Sequence, residues 1–191
     1  MQLIYSHIDV VAFCMDIVKG FEEVFTQKQF VYSSNVSSRM IDADVVKLES
    51  IITNIISNSC KYSDDKSTIA VSVNVDDENI VFAFSDDGMG IPKEEQPLIF
   101  QRLYQSSTTI GNKEGTGIGL YLVKKYVEMQ GATAGVVVDS CAIDRRKLYL
   151  LNSMLHNSAS STLKVAHAWV EATGCEFSDS RDGVVDLTGG R

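Results

Sequence analysis

The sequence of 191 residues is poor in the side chains that build disulfide frameworks and zinc sites, with four cysteines and three histidines. The cysteines stand far apart, none lies in a C-x-x-C pair, and no histidine stands at the spacing of metal ligands. We therefore expect free, mostly buried thiols in a reducing compartment, at positions Cys14, Cys60, Cys141 and Cys175.

The sequence also lacks a long apolar run and a secretory signal. No apolar stretch approaches the ~20 residues that cross a bilayer. The N-terminus has neither the basic start nor the long apolar centre of a signal peptide. With 45% hydrophobic and 22% charged residues, the composition is that of a globular protein. We expect a cytoplasmic chain that does not itself insert into a membrane.

Positive charge is scarce, because 17 Lys and Arg stand against 25 Asp and Glu, for a net charge of -8. This excess of acidic residues argues against a nucleic-acid partner, since such affinity comes largely from clustered basic side chains. A site for a smaller polyanion must then be built locally, from backbone amides, helix N-termini, a few cations and a metal ion.

Hydrophobic periodicity predicts two helices in the first third of the chain. Apolar residues recur at helical spacing over Val10 to Phe25, and again over Asp44 to Tyr62, where Asp44 is suited to capping. Between them, Phe30 to Ser33 and Arg39 to Asp42 are predicted to form the two strands of a short hairpin.

The middle of the chain predicts a second hairpin and then a third helix. Thr68 to Val75 alternates strictly and pairs in this prediction with Ile80 to Phe84. A polar, glycine-containing segment then leads into a helix over Leu120 to Met129, followed by a strand over Ala134 to Val138. Beyond Ser140 the pattern weakens.

Asn54, Asn58 and Lys61 form a polar edge on the predicted second helix. Their spacing of i, i+4 and i+7 places them on one side of it. Amide oxygens suit Mg²⁺, and a lysine one turn further on can meet a phosphate. The alternative is that both asparagines only cap, solvate or hydrogen-bond locally.

Two glycine-containing segments are further candidates. Asp86 to Gly90 follows a strand, so its backbone can approach a ligand while a carboxylate accepts from an amine; the alternative is an acidic turn. Gly115 to Gly119 precedes a helix, where amides can bind phosphate oxygens. The second segment is neither a Walker phosphate loop nor a dinucleotide fingerprint, and alone it is weak evidence.

The order of these features resembles the histidine-kinase branch of the ATPase superfamily that also contains gyrase, Hsp90 and MutL. On this resemblance, which covers about residues 9–140, Asn54 to Tyr62 is the N box and Asp86 to Pro92 the first glycine box. Phe100 is the F box, and Gly115 to Leu120 is the second glycine box. The N-terminal half also resembles the hybrid sensor regulators of gut Bacteroidetes.

The resemblance implies an α/β fold of Bergerat type: a two-layer sandwich of a mixed sheet with helices on one face and a mobile ATP lid. It implies ATP and Mg²⁺ as cofactors. The catalytic residues would be Asn54 and Asn58, with Asn58 as the metal ligand, and Lys61. The nucleotide would also meet Tyr62 at phosphate or ribose, Asp86 at the adenine amino group, Gly88, Gly90 and Ile91 in the base pocket, Arg102, and Gly115, Thr116, Gly117, Ile118, Gly119 and Leu120 in the lid.

Some positions near the lid have two readings. Arg102 and Gln105 either reach the terminal phosphate or form surface salt bridges. Phe100 is expected to anchor the lid by packing rather than to bind the nucleotide.

The sequence departs from the family in two places. His7 does not stand in the family's H-E-[LI]-[RK]-x-P pattern, and neither do His156 and His167, so the phosphorylated histidine is absent from this chain. The usual closing strand is not recognisable after Ser140, and Leu148 to Leu151 is the candidate replacement. We thus expect an ATPase domain over residues 1–140 and a tail over 141–191, which is either a genuine extension with a short helix or an altered reading frame or cloning boundary.

By resemblance, the chain is the catalytic half of a two-component sensor histidine kinase. It would transfer the γ-phosphoryl of ATP to a histidine on a separate dimerisation domain, ahead of a response regulator, within a larger sensor that could be membrane-anchored. Alone it should lack autokinase activity. Two alternatives stay open: a nucleotide-binding signalling module without kinase activity, and a clamp-type ATPase, which would need a carboxylate where this chain has Asn54.

Overall fold

The computed structural model describes residues 2–76, 79–92, 94–106, 115–130, 133–138, 146–153, 176–178 and 186–188. The elements follow in the order β1 (Ser6–Asp9), α1 (Val10–Val24), β2 (Gln29–Ser34), β3 (Met40–Ala43), α2 (Val45–Tyr62), β4 (Thr68–Val75), β5 (Asn79–Asp86), α3 (Gly119–Met129), β6 (Thr133–Val138), β7 (Arg146–Ser153), β8 (Glu176–Ser178) and β9 (Asp186–Thr188). None of the helices among these residues is long and apolar enough to cross a membrane.

A five-stranded mixed sheet carries the helices on one face. Its strand order is β2-β4-β5-β7-β6, in which β2 and β4 run parallel and the other neighbours run antiparallel. The alternation in β4 buries Ile69, Val71 and Val73, and Phe82 and Phe84 of β5 lie opposite them in the same core. The helix α1 packs on β2 and β4, α2 on β4 and β5, and α3 on α2 and β6. The predicted two-layer α/β sandwich is confirmed.

The predicted helices are confirmed because their signals are local. Asp9 begins α1, and its carboxylate accepts from the amide of Val11 at 3.1 Å. Asp44 begins α2, and its carboxylate accepts from the amide of Lys47 at 3.1 Å. Each helix turns an apolar stripe to the core, so capping and burial favour the same ends and the same face.

Asp44 joins three parts of the chain at the start of α2. Its carboxylate accepts from Lys47 Nζ at 2.6 Å and from the amide of Ile4 at 3.0 Å. Its own amide donates to the side-chain oxygen of Gln130, just beyond α3, at 3.1 Å. The Ile4 amide, with help from Lys47, lowers the pKa of the buried Asp44 carboxyl to about 2.

The predicted hairpin between residues 30 and 42 is wrong, although both of its strands exist. β2 pairs in parallel with β4, and β3 pairs instead with β1 in a separate two-stranded sheet. Phe30 and Tyr32 of β2 pack against the main core, and Tyr32 donates to the carbonyl of Val11 at 2.8 Å. These contacts hold β2 against α1 and the main core, where β4 is its neighbour. The polar segment after β2 indicates a tight turn, but a turn signal does not determine which strand pairs with β2.

The chain beyond Ser140 supplies a strand to the sheet. Leu148 to Leu151 lies within β7, which pairs with β5 on one side and with β6 on the other. The prediction that this stretch adds a strand to the sheet is thereby confirmed, and its equivalence to the family's closing strand stays a prediction. The helix suggested for the tail lies outside the described residues, as do Cys141 and Cys175.

Candidate functional site

The second half of α2 presents a polar edge beside the core. Asn54 and Asn58 are half-buried, as are Lys61 and Tyr62 at the end of the helix. Asn54 Nδ2 donates to the carbonyl of Ser50 at 2.7 Å, which leaves Oδ1 directed away from the helix backbone. The Lys61 ammonium lies 5.2 Å from the centre of the Tyr62 ring. The predicted polar edge is therefore present, and a hydrogen bond within α2 holds the Asn54 side chain in place.

The loop after β5 turns back onto the end of α2. Asp86 is only 6% exposed, and its Oδ1 accepts from the amide of Gly88 at 2.9 Å. A β-carbon on Gly88 would lie 2.6 Å from the carbonyl oxygen of Tyr62, which also accepts from the amide of Met89 at 3.4 Å. Glycine is thus required where this loop crosses α2. Next to it, the exposed Asp87 accepts from the amide of Thr68 at 3.1 Å.

The segment from Gly90 to Phe100 packs against the core and α3. Gly90 has a φ of +76° and open space around it, and Ile91 is half-buried against the core. The carbonyl of Ile91 accepts from Gln96 Nε2 at 3.2 Å. Phe100 is buried, and Lys124 Nζ of α3 lies 5.9 Å from the centre of its ring. Phe100 is therefore a packing residue, as expected.

The second glycine segment lies directly against the polar edge of α2. A β-carbon on Gly115 would lie 3.1 Å from Lys61 Nζ and 3.3 Å from the Tyr62 hydroxyl. A β-carbon on Gly119, the first residue of α3, would lie 2.9 Å from Asn54 Oδ1. Within the part of the chain that the structure describes, no side chain caps the start of α3, and the uncapped first amides of a helix carry partial positive charge. This end of α3 begins at Gly119, beside Asn54.

A backbone hydrogen bond joins Leu103 to the second glycine segment. The amide of Leu103 donates to the carbonyl of Gly117 at 2.9 Å, and both residues have positive φ, +64° and +66°. A β-carbon on Gly117 would lie 2.6 Å from the carbonyl carbon of Leu103. Gln105 Nε2 also donates to the carbonyl of Gly115. Sequence reasoning missed Leu103 and the Tyr62 carbonyl, because both act through the backbone.

Four predicted residues stand outside these contacts. Arg102 and Thr116 are exposed, whereas Ile118 and Leu120 are half-buried. Leu120 packs against the core. The structure therefore brings together the residues of α2, the loop after β5 and the glycines at 115 and 119, and leaves Arg102 at the surface.

Among the described residues, no group of three or more His, Cys, Asp and Glu side chains could hold a metal ion. Cys14 and Cys60 are free and buried, and burial raises the pKa of these thiols to about 12 and about 11. The free-thiol expectation is confirmed for these two. His7 lies on β1, exposed, with Nδ1 2.8 Å from Asp42 Oδ1. His156 and His167 lie outside the described residues.

A mixed sheet with helices on one face, and glycine segments closing on an asparagine-bearing helix, define a class of ATP-binding domain. Residues 43–146, more than half of the chain, match the family described as "Histidine kinase-, DNA gyrase B-, and HSP90-like ATPase". The chain belongs to this family.

Curated proteins similar to this chain are sensor histidine kinases. WalK of Bacillus subtilis is 33% identical over 130 residues, which are 65% of this chain and 21% of WalK. CikA of Synechococcus elongatus, a circadian input-output histidine kinase, is 38% identical over 90 residues, 47% of this chain and 12% of CikA. The chain therefore spans about a fifth or less of the length of these two relatives.

Solved structures similar in fold are histidine kinases. The catalytic domain of ThkA aligns with a TM-score of 0.70 at 14% identity, covering 80% of this chain and 99% of that domain. Full-length ShkA in complex with AMPPNP aligns at 0.69 with 17% identity, covering 83% of this chain and 33% of ShkA. ThkA in complex with the response regulator TrrA aligns at 0.66 with 13% identity, covering 79% and 42%. The fold is that of a histidine-kinase catalytic domain.

Proposed function

We propose that this chain is the Mg-ATP-binding catalytic domain of a two-component sensor histidine kinase. It would transfer the γ-phosphoryl group to a histidine on a separate dimerisation domain. The observation that carries the proposal is the approach of Gly119 to Asn54: with no side chain at 119, the start of α3 and the polar edge of α2 enclose a space that a β-carbon would fill. Membership of the ATPase family and the kinase relatives support it.

The adenine end of the nucleotide would lie at the loop after β5. A buried carboxylate can accept from the exocyclic amine of adenine, and Asp86 is the buried carboxylate of this loop. Gly88, Gly90 and Ile91 would line the base pocket. The ShkA structure similar to this chain was solved with AMPPNP, an analogue of ATP, which favours a nucleotide as ligand here.

The phosphates would lie between α2 and α3. Lys61, beside Gly115, would contact phosphate, Tyr62 phosphate or ribose, and the amides of residues 115–120, Thr116, Ile118 and Leu120 included, would surround them. Asn58 would hold Mg²⁺, with Asn54 near it, since amide oxygens are ligands that this ion accepts. One amide oxygen of this edge, Asn54 Oδ1, borders Gly119, where a β-carbon would lie 2.9 Å from it. When bound, Mg²⁺ would neutralise phosphate charge.

Asn54 favours a kinase over a hydrolase. Water attacking the γ-phosphorus needs a base, and a neutral amide cannot accept the proton. A neutral imidazole is already a nucleophile: its nitrogen forms a bond to the γ-phosphorus while the bond to the bridging oxygen breaks and ADP leaves. The acceptor histidine would come from a dimerisation domain of the full-length protein, because none of the three histidines of this sequence stands in the family's H-E-[LI]-[RK]-x-P pattern. Arg102 is exposed in this structure, and it would reach the terminal phosphate only when the lid closes.

The wider setting is likewise proposed. ThkA was solved in complex with the response regulator protein TrrA, and we infer that the parent of this chain passes its phosphoryl group to a response regulator. The chain would then be the cytoplasmic, catalytic part of a larger sensor, with no nucleic-acid partner.

Phosphoryl transfer to a supplied domain tests this function. The purified chain would be mixed with Mg²⁺, ATP radiolabelled at the γ-phosphate, and a dimerisation domain carrying the acceptor histidine. We expect label on that domain, loss of label when its histidine is replaced by Gln, and very slow phosphate release by the chain alone. Rapid phosphate release without the domain would favour the clamp-type ATPase, and ATP binding without either reaction would favour a signalling module.

A further inference from the structure

Lys28, in the connection between α1 and β2, places its ammonium in a ring of four oxygens at the end of α2. Nζ lies 2.9 Å from the carbonyl of Asp64, 3.2 Å from the carbonyl of Ser63, 3.1 Å from the Ser63 hydroxyl and 3.4 Å from the Ser67 hydroxyl. An ammonium has three donors and no acceptor, so this all-oxygen ring suits it well.

Backbone hydrogen bonds on both sides of Lys28 hold this residue next to the oxygen ring. The carbonyl of Gln27 accepts from the amide of Lys66 at 2.8 Å, and the amide of Gln29 donates to the carbonyl of Ser67 at 3.0 Å. Ser63 and Ser67 are buried, and their hydroxyls bond to each other at 2.8 Å. The ammonium therefore occupies a fixed place rather than a mobile one at the surface.

The oxygen ring around Lys28 lies at the C-terminal end of α2, the helix that carries the candidate phosphate contacts. Ser63 is the C-cap of α2, directly after Lys61 and Tyr62. The carbonyl of Tyr62 is in turn the point that the Asp86 loop approaches through Met89. Burial raises the pKa of the Cys60 thiol of α2, while the charge of Lys28 lowers it and the charge of Asp86 raises it.

The electrostatics of this end of α2 are unfavourable for a polyphosphate. The last carbonyls of a helix carry partial negative charge, and anions are disfavoured within the last turn. On the proposed function, the phosphates lie along the last turns of α2. A cation bound to the carbonyls just beyond would offset that charge.

We propose that Lys28 is a positioning residue of the nucleotide site, whose ammonium neutralises the carbonyl end of α2 and makes it compatible with the phosphates of ATP. The inference rests on the proposed function. It assigns Lys28 a selective effect on phosphate-bearing ligands, beyond a general effect on folding.

Two substitutions separate charge from hydrogen bonding. Lys28→Gln keeps donors for the oxygen ring but removes the charge, whereas Lys28→Arg keeps the charge. Dissociation constants for ATP and for uncharged adenosine would be measured for the full chain, together with melting temperatures. The matched control is Lys19→Gln, which removes the same charge from an exposed position on α1.

The expected result is a loss of preference for ATP over adenosine in Lys28→Gln by about two- to fivefold, the usual size of a charge effect at a helix end. This loss should shrink at high salt. Lys28→Arg and Lys19→Gln should keep the wild-type ratio. Equal weakening of both ligands in Lys28→Gln, or no change, overturns the inference.

The test also separates this inference from the proposed function. If the wild type does not bind ATP, the proposed function fails. If the wild type binds ATP and Lys28→Gln keeps its preference, only the role of Lys28 fails. Should Lys28→Gln not fold, Lys28→Arg decides, because a fall in its ATP-to-adenosine ratio would contradict a role based on charge.

Discussion

Gly119, at the start of α3, lies so close to Asn54 of α2 that a β-carbon at 119 would come within 2.9 Å of Asn54 Oδ1. The two residues belong to different motifs and stand 65 positions apart in the sequence. Their contact sets the distance between the amides of α3 and the polar edge of α2. On the proposed function, the size of the space for phosphates therefore depends on the absence of a side chain at this one position.

Gly119→Ala should weaken ATP binding by roughly tenfold or more, because the new methyl group displaces the Asn54 amide and costs hydrogen bonds to a charged ligand. Calorimetry with Mg-ATP measures the effect. The control is Gly20→Ala, since a β-carbon on Gly20 of α1 meets nothing within 4 Å. That change should raise stability by about 0.5–1 kcal/mol and leave ATP affinity alone. Undiminished affinity in Gly119→Ala would argue against phosphates at this position.

Asp86→Asn should lower ATP affinity by roughly tenfold, because a buried carboxylate that accepts from the adenine amine is replaced by a neutral amide. GTP, which lacks that amine, should bind weakly to both proteins. Titrations with both nucleotides check this. Asp87→Asn is the matched control, since Asp87 is the exposed neighbour that bonds to the amide of Thr68. Equal affinities of the wild type for ATP and GTP would remove Asp86 from the base-binding role.

Asn58→Ala should abolish the dependence of ATP binding on Mg²⁺ while the chain stays folded, because Asn58 is half-buried at the edge of α2 and outside the apolar core. The dissociation constant for ATP with and without Mg²⁺ gives the result, and circular dichroism reports the fold. The adjacent exposed Ser57→Ala should behave as wild type. An Asn58→Ala protein that unfolds would show a structural role and end the metal assignment.

Ending the chain after Ser140 should strongly destabilise it, because β7 lies inside the sheet between β5 and β6. If the lost pairing is worth about 4 kcal/mol, the melting temperature should fall by roughly 10 °C. The comparison is a chain that ends after Ser153 and keeps β7. Melting curves that coincide for both truncations and the full chain would contradict the importance of β7.

Acid should weaken the fold through Asp44. The pKa of this carboxyl is lowered to about 2 in the folded chain, against an ordinary value near 3.8. A lowered pKa stabilises the fold above the ordinary value, and this contribution is lost as the pH falls from there towards about 2. Urea unfolding across this range should show a smaller loss in Asp44→Asn than in the wild type. Parallel pH profiles would contradict the role of Asp44.

The helices and the residue types of the site could be predicted from sequence because their signals are local. The apolar stripe and capping aspartate of α2 lie within one short segment, and so do Asn54 and Asn58. The partner of β2 could not be predicted in this way. Alternation in Phe30 to Ser33 shows that a strand is half-buried, but the core contact of Tyr32 with α1 decides which strand it joins.

The parts of the site that act through the backbone also escaped prediction. The positive φ of Leu103 and its bond to Gly117 have no side-chain signature, because leucine has no preference for that conformation. The carbonyl of Tyr62 meets the Asp86 loop whatever the side chain at 62 is. Sequence reasoning therefore named the residues around the candidate site and left out the bonds that hold its pieces together.

The place of β7 inside the sheet has a consequence for the growing polypeptide. On the ribosome β6 is made before β7, so β6 has no neighbour to pair with until residues 146–153 emerge. Until then β5, which leads into Asp86, exposes one side of its backbone as the edge of a three-stranded β2-β4-β5 unit. Such an unpaired edge can pair with another chain during synthesis. The late arrival of β7 thus both completes the sheet and covers the open edge of β5.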